Sequence, residues 1–258
     1  MLEWVLGAAA LGFSLRYTWW LPPVGGVGVL MYHMITDELR GTRLPKLRVS
    51  PRRFMSQLRW LKRRGYTTLT LSEALTAPSL PPRSVVITFD DGYLDFFTTA
   101  WPILRIMGMT ATVFVVAGCV GRTNEWDEPK GEPAEPLMDE SQLRQLADEG
   151  IEIASHTLTH PDLTTLDDAG VRRELTESKA LLEEITGREI KCVSYPYGNA
   201  DRRVISAARA AGYHGGCITR HGKLGPATDP LAIPRIIIKR SDDMLDFSLK
   251  ISRARSRL

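Results

Sequence analysis

Disulfide chemistry, charge of one sign and a full membrane span are all scarce in this chain of 258 residues. Only three cysteines occur, Cys119, Cys192 and Cys217, too few and too scattered for a disulfide framework or a paired-cysteine metal site. Cys192 and Cys217 lie in apolar, strand-like stretches and read as core residues. The net charge is +3, but the last nine residues carry four cations and no acid, which leaves the body at −1. A nucleic-acid binder carries its basic excess on the folded surface, so nucleic acid is not expected as a partner. The apolar stretch from Trp4 to Leu15 covers 12 residues, whereas a bilayer crossing needs about 20. Glu3 stands where a signal peptide has its cations, and no convincing cleavage site follows. With Tyr17, Trp19 and Trp20 as an interfacial aromatic cluster, residues 1–23 are expected to form an uncleaved membrane-associating segment, a helix docked on the domain being the alternative. Residues 24–249 then make one domain. Residues 250–258 are a basic tail, read as a frayed solubilising end with binding to anionic lipid as the alternative.

What is present describes a soluble α/β body. Apolar residues make up 43% and charged residues 24%, and the length suits one α/β barrel. Strand candidates fall at residues 27–32, 67–70, 84–89, 111–116, 151–155, 191–194, 215–218 and 233–238. Their near-continuous apolar character fits a parallel sheet covered on both faces. Helices alternate with them. One starts at Ser50-Pro51 and stops at Gly65. Another starts near Thr165 with Asp168 as its capping partner and stops at Gly187. Asp139 to Gly150 and Asp201 to Gly212 read likewise. This alternation predicts a distorted, TIM-like (β/α) barrel of seven or eight strands, with an open doubly wound sheet as the alternative.

The chemistry-bearing residues follow the strands. Thr88-Phe89-Asp90-Asp91-Gly92 puts two adjacent carboxylates where an apolar strand ends, and Gly92 supplies a turn that lets both face one site. Like charges so close call for a partner, and a divalent cation serves. Ser155-His156-Thr157-Leu158-Thr159-His160 places two imidazoles four residues apart. In an extended strand they would stand roughly 13 Å apart, so the chain must coil there for both to reach one ion. Two His and one carboxylate leave a coordination position open, as in catalytic zinc sites; taken alone, His-x-x-x-His is a weak signal. Zn²⁺ suits this donor set, and Co²⁺, Ni²⁺ or Mn²⁺ would fit. In a barrel, chemistry sits at the carboxyl ends of strands. His33, Asp90, Asp91, His156 and Tyr197 all fall there. Between Gly118 and Met138 lies a long loop rich in Gly, Pro and acids, expected to form a rim or lid, in which Trp126 either stacks on a sugar ring or pins the loop.

Taken together, Thr88 to Gly92, Ser155 to His160 and Tyr195-Pro196-Tyr197-Gly198 resemble, in order, the motifs of the polysaccharide deacetylases of carbohydrate esterase family four, the NodB-homology domain. The resemblance implies a distorted barrel, a divalent metal and removal of N-acetyl or O-acetyl groups from a glycan. It implies Asp90 as general base, Asp91, His156 and His160 as metal ligands, and the Tyr197 N–H as an oxyanion donor, with Tyr195, Pro196 and Trp126 beside the substrate. Two positions depart from the pattern. Ser194 replaces an Arg that orients the base, and no late general-acid His follows His221. Val29-Leu30-Met31-Tyr32-His33 resembles the opening motif of the permuted, poly-N-acetylglucosamine deacetylase-like subgroup, which implies His33 as the acid. Arg235, in Ile233-Pro234-Arg235-Ile236, is the candidate replacement for the missing guanidinium. His214 and His221 read as surface or rim residues.

The expectation is thus an N-deacetylase of N-acetylglucosamine-containing polysaccharide. Rivals are an O-acetyl esterase and a glycan-binding pseudoenzyme, to which Ser194 lends weight. A glycosidase is disfavoured, because its two carboxylates flank the bond about 5 to 9 Å apart rather than standing side by side. Membrane association at the cell envelope is expected, on the periplasmic or extracellular side, although Arg16 alone would by the positive-inside rule favour the cytoplasmic side.

Overall fold

In the computed structural model, which describes Tyr17 and residues 20–256, the eight expected strands form one sheet in which every pairing is parallel. These are β1 (Gly28–Tyr32), β4 (Thr67–Leu69), β5 (Ser84–Phe89), β6 (Thr112–Val115), β7 (Glu152–Ser155), β8 (Cys192–Ser194), β9 (Gly215–Cys217) and β10 (Ile236–Ile237). Two short strands, β2 (Met34–Ile35) and β3 (Arg48–Val49), pair separately and had no signal in the sequence. The order β10-β1-β5-β6-β7-β8-β9 curls into a half-barrel. β5 is shared along one edge, its first half pairing with β4 and its last two residues with β6. The two ends of the curl meet at a bridge between Cys217 and Ile233, with no strand ladder between β9 and β10 among the described residues. The TIM-like expectation therefore holds, in distorted form, and the open doubly wound sheet does not.

The pleat sorts the residues of each strand. Along β5, Val85, Ile87 and Phe89 face the outer core with Leu30, Phe54 and Leu58, while Val86 joins Val29, Phe114, Ala154, Cys192 and Cys217 inside the curl. Both faces are covered, so every residue of β1 and β5 is buried. Asp90 follows in the inward phase of Val86 and Thr88, which carries its carboxylate to the mouth of the curl.

Helices cover the outside. α1 (Pro51–Arg63) has Ser50 as N-cap, its hydroxyl accepting the Arg53 N–H, and Pro51 in its first turn, as expected. α4 (Glu140–Asp148) and α6 (Arg202–Ala210) start after Asp139 and Asp201. α5 (Asp168–Thr186) is capped by Asp167, not Thr165. Leu163–Thr165 close a 3₁₀ turn of their own on Asp162, which delays the helix. α2 (Leu71–Thr76), α3 (Trp101–Met107, after a π-helical turn at Phe96–Ala100) and α7 (Met244–Arg253) were not expected.

The last of these corrects the reading of the basic tail. α7 runs through the first residues of that segment, Ile251, Ala254 and Ser256 are buried, and Lys250 pairs with the buried Asp242 at 2.5 Å. Apolar burial on one helix face outweighs the local excess of charge. The Ser252 carbonyl accepts the Val24 N–H, which ties α7 to the start of the domain. Among the described residues no helix is long and apolar enough to cross a membrane. The apolar segment on which the membrane expectation rests lies outside them, apart from Tyr17 and residues 20–23.

Asp95, at the head of the π-helical turn, ties this region to β2, since one of its carboxylate oxygens accepts the Ile35 N–H. The other oxygen is buried and has no hydrogen-bond partner among the described residues. Burial pushes this carboxyl up to about 7, against the pull of the Ile35 N–H and Arg48 and with a push from Glu135. The folded protein then keeps a proton that the unfolded chain releases above about pH 4, so stability falls as pH climbs from there to about 7 and levels off beyond. Asp95→Asn keeps an acceptor for Ile35 and removes the charge. Its Tm advantage over the parent should grow between about pH 5 and pH 8; an advantage equal at both values would show that Asp95 does not titrate in that window.

Candidate metal centre and active site

Asp90 and Asp91 converge because the backbone reverses at once after β5. Asp91 has φ 76° and Gly92 φ 79°. A Cβ on Gly92 would also meet the Val115 side chain at 3.3 Å, so glycine serves both the turn and the packing against β6.

The two histidines come from the turn after β7. It coils as expected, but as a bend with Thr157 and His160 in the left-handed region (φ 68° and 63°) rather than as a helical turn. Glu174, on α5 and 1% exposed, fastens that bend. It accepts the backbone N–H groups of Leu158 and Thr159, each at 2.9 Å, and the Thr159 hydroxyl at 2.7 Å. The Thr157 hydroxyl accepts the His160 N–H. Six non-glycine residues among those described have positive φ, and four of them, Asp91, Thr157, His160 and Tyr197, surround this site. Such strain persists only where the surroundings over-determine it.

One carboxylate oxygen of Asp91 lies 3.3 Å from Nε2 of His156 and 3.6 Å from Nε2 of His160. A ligand atom from each of the three residues lies within 4.8 Å of the others. His156 makes its Nδ1 contact with the Ser194 carbonyl at 2.7 Å, which assigns the proton to Nδ1 and leaves Nε2 as donor atom for an ion. Burial and the neighbouring His156 pull His160 down to about 3, so its ring is neutral, the ligand form. Burial would raise Asp91, but the hydrogen bond with His156 and the fields of His33 and His160 hold it well below the usual carboxylate range. His156 is raised because its contact with Asp91 and the charge of Asp90 outweigh burial, and a cation competes there with a proton. The donor set fits a divalent metal.

Asp90 is handled differently. Burial pushes its carboxyl up, yet Arg235 and then His156 outweigh this and keep it below the usual range. The Arg235 guanidinium, fully buried, donates to both oxygens at 2.6 and 2.8 Å. It also donates to the Ser194 hydroxyl at 3.0 Å. A guanidinium therefore stands beside Ser194, delivered from the segment entering β10.

A cleft of about 410 Å³ opens over these groups, lined by His33, Asp90, Asp91, Trp126, His156, His160, Tyr195, Tyr197 and Arg235. His33 follows β1 and is half-buried. Trp126 stacks on His160, ring centroids 4.8 Å apart, so it pins the loop between Gly118 and Met138 and also lines the cleft. Tyr195 is fully buried and its hydroxyl donates to the Leu231 carbonyl, so its role at the cleft is support. Pro196 is buried in the 3₁₀ turn Pro196–Gly198 and does not line the cleft; its fixed φ starts that turn. Tyr197 has φ 60°, and Gly198 is required after it, because a Cβ there would fall 2.2 Å from the Thr219 hydroxyl. His214 and His221 are exposed and outside the cleft, as expected.

Sequence reasoning missed Glu174 and Lys130. Lys130 pairs with Asp127 at 2.7 Å and donates to the Tyr197 hydroxyl at 3.1 Å, latching the loop across the site. Glu174 had a legible signal. It sits on the apolar stripe Val171, Leu175, Ser178, Leu182, where an acid needs a buried partner.

With this geometry in hand, comparison with known proteins is informative. The family model for polysaccharide deacetylase matches residues 77–216. A putative polysaccharide deacetylase of Bacillus subtilis, YxkH, is 32% identical over 212 residues, covering 81% of this chain and 70% of that protein. A poly-beta-1,6-N-acetyl-D-glucosamine N-deacetylase of Staphylococcus aureus is 28% identical over 214 residues, 78% and 71% of the two chains. The crystal structure of the putative polysaccharide deacetylase BA0330 from Bacillus anthracis superposes with a TM-score of 0.76 at 29% identity, covering 88% of this chain and 69% of that one. Motif order, fold and the buried Asp-His-His cluster thus agree with the match over more than half the sequence, and the chain belongs to the polysaccharide deacetylase family.

Proposed function

We propose that the protein is a metal-dependent hydrolase that removes N-acetyl groups from an N-acetylglucosamine-containing polysaccharide. The observation that carries this reading is the division of labour between the two carboxylates: Asp91 faces two histidines, and Asp90, beside it, is held ionised by Arg235. The relative that is a poly-N-acetylglucosamine N-deacetylase supports the choice of glycan. Weight for a pseudoenzyme came from Ser194, and the Arg235 guanidinium standing at that hydroxyl removes most of it.

Asp91, His156 and His160 would hold the metal, Zn²⁺ being best suited to this donor set, with Co²⁺, Ni²⁺ or Mn²⁺ as alternatives. Bound there, it supplies Lewis acidity, polarising an acyl oxygen and acidifying water. Asp90 takes the proton from the attacking water. Each of its oxygens accepts one guanidinium N–H and keeps a second lone pair for that proton. The Tyr197 N–H, set by its left-handed backbone, donates to the oxyanion, worth about 3 kcal/mol for a well-placed donor. His33 gives its proton to the amine nitrogen as the C–N bond breaks, so that amine rather than an amide anion leaves. Trp126 and Tyr197 wall the reacting bond from bulk water. The products are acetate and a glucosamine unit. A cell-envelope location, with the apolar segment before Val24 holding the domain at a membrane, belongs to the same proposal.

Acetate release from N-acetylglucosamine oligomers by the metal-loaded protein tests the reading. Asp90→Asn should bind metal with unchanged affinity and lower kcat by about 10²-fold or more. Binding of oligomers without acetate release by the parent protein would establish the pseudoenzyme instead. Arg235→Ala removes the only cation bonded to Asp90 among the described residues and should lower kcat about as far, with the acid limb of the pH profile moved upward. Full activity of that variant would refute the role given to Arg235. Glu174→Gln loosens the bend that carries both histidines and should weaken metal affinity by about 10- to 100-fold in calorimetry, the usual cost of losing an outer-shell partner.

A further inference from the structure

The charges lining the cleft do not cancel. Asp90 is matched by Arg235, Asp127 by Lys130, and Asp91 by the histidines and the ion they would hold. Two lining cations remain, Lys46 and Lys239, and among the described residues neither ammonium has an ion pair or hydrogen bond. They are neighbours by construction, because the Lys46 carbonyl accepts the N–H of Arg240, the residue after Lys239. Lys239 also lines a second cavity of about 220 Å³, with His221, Asp242, Lys250 and Arg255. Its one acid, Asp242, is already consumed by Lys250 at 2.5 Å. Partial burial, then the charges of Lys250, Lys239 and Arg255, lower the pKa of His221. Two like charges placed together in a concavity raise its potential and concentrate counter-ions there.

We infer that the wall formed by Lys46 and Lys239 is a subsite for an anionic substituent, and that the substrate is an acidic glycan carrying a carboxylate or phosphate on the unit next to the acetylated one. This rests on the deacetylase reading and narrows it, since a neutral polymer offers these cations no counter-charge. The wall also favours turnover. Deacetylation creates an ammonium on the product, which the same cations repel, so substrate is held and product released.

The test is acetate release from three oligosaccharides of equal length: a neutral N-acetylglucosamine oligomer, one alternating N-acetylglucosamine with glucuronate, and one bearing a 6-phosphate on alternate units. KM for at least one anionic oligomer should lie about 10-fold or more below that for the neutral one at low salt, and the gap should shrink by 0.5 M salt as screening shortens to a few ångströms. Which arm responds separates carboxylate from phosphate. In Lys46→Glu/Lys239→Glu the ratio of the two KM values should fall to about one or invert, with metal affinity checked by calorimetry to confirm an intact fold. Equal KM values for all three oligomers in the parent, or a ratio unmoved by the double substitution, overturns the subsite. If acetate is still released and Asp91→Asn abolishes it, the deacetylase reading survives that failure. If no oligomer yields acetate, both fall together.

Discussion

Two carboxylates at the end of a fully buried strand repel each other, and much of the architecture around them answers that repulsion. Both are nearly inaccessible, Asp90 at 3% and Asp91 at 5% exposure. In so poorly solvated a place, adjacent anions must either share a proton or receive separate partners. Here the partners are separate. Arg235 takes Asp90 through both oxygens, and the two imidazoles take Asp91. The split makes the pair chemically unequal: one acid is locked onto a guanidinium and stays a proton acceptor, while the other is free to ligate.

Holding that inequality costs backbone strain, which more distant residues offset. The bend from His156 to His160 includes two left-handed non-glycine residues, and an acid buried on α5 bonds its N–H groups. Ser155, beneath the bend, accepts the Thr157 N–H and meets the Ser178 hydroxyl of the same helix. The long helix α5 therefore packs the sheet through its apolar stripe and orients the histidines through its polar members. Removing Glu174 would deprive the Leu158 and Thr159 N–H groups and the Thr159 hydroxyl of their shared acceptor.

How much of this was legible depended on range. The eight sheet strands were readable because parallel strands buried on both faces are apolar throughout, and most helix starts because a capping side chain lies within three residues of its partner. α3 was hidden by Pro102, which reads as a breaker until its place in the first helical turn is known, and by β-branched Thr98 and Thr99 in the π-helical turn before it. α7 was hidden by its charges. The Asp pair and the histidine pair announced themselves as motifs. The juxtaposition of Lys46 with Lys239 did not, since it depends on a contact almost two hundred residues apart in sequence. Arg235 lay between these cases. Its distance from Ser194 in sequence gives no hint of contact, but a curled sheet brings its last strand beside its first, so the segment entering β10 ends up facing β5 and β8.

That route for the guanidinium ties the chemistry to the seam where the curl closes. An arginine at position 194 would rest on β8, stitched to β7 and β9. Arg235 instead rides on a segment joined to β9 by a single bridge and to β1 by two register pairs. The seam is held by the Ile233 N–H on the Gly216 carbonyl and the Gly216 N–H on the Pro230 carbonyl, both at 2.7 Å, by the Ile218 N–H on the Ile233 carbonyl and the Arg235 N–H on the Arg220 carbonyl, both at 3.0 Å, and by the Tyr195 hydroxyl on the Leu231 carbonyl at 3.0 Å. Regions with few ladder bonds are the ones that open below the global unfolding free energy. Opening this seam would withdraw the cation from Asp90, raise its pKa and leave a buried carboxyl that prefers to be neutral. Tyr195 thus supports the site from beneath: it closes the seam on which the ionisation of Asp90 depends, which explains why an aromatic residue in a site motif is fully buried with its hydroxyl spent on a backbone carbonyl.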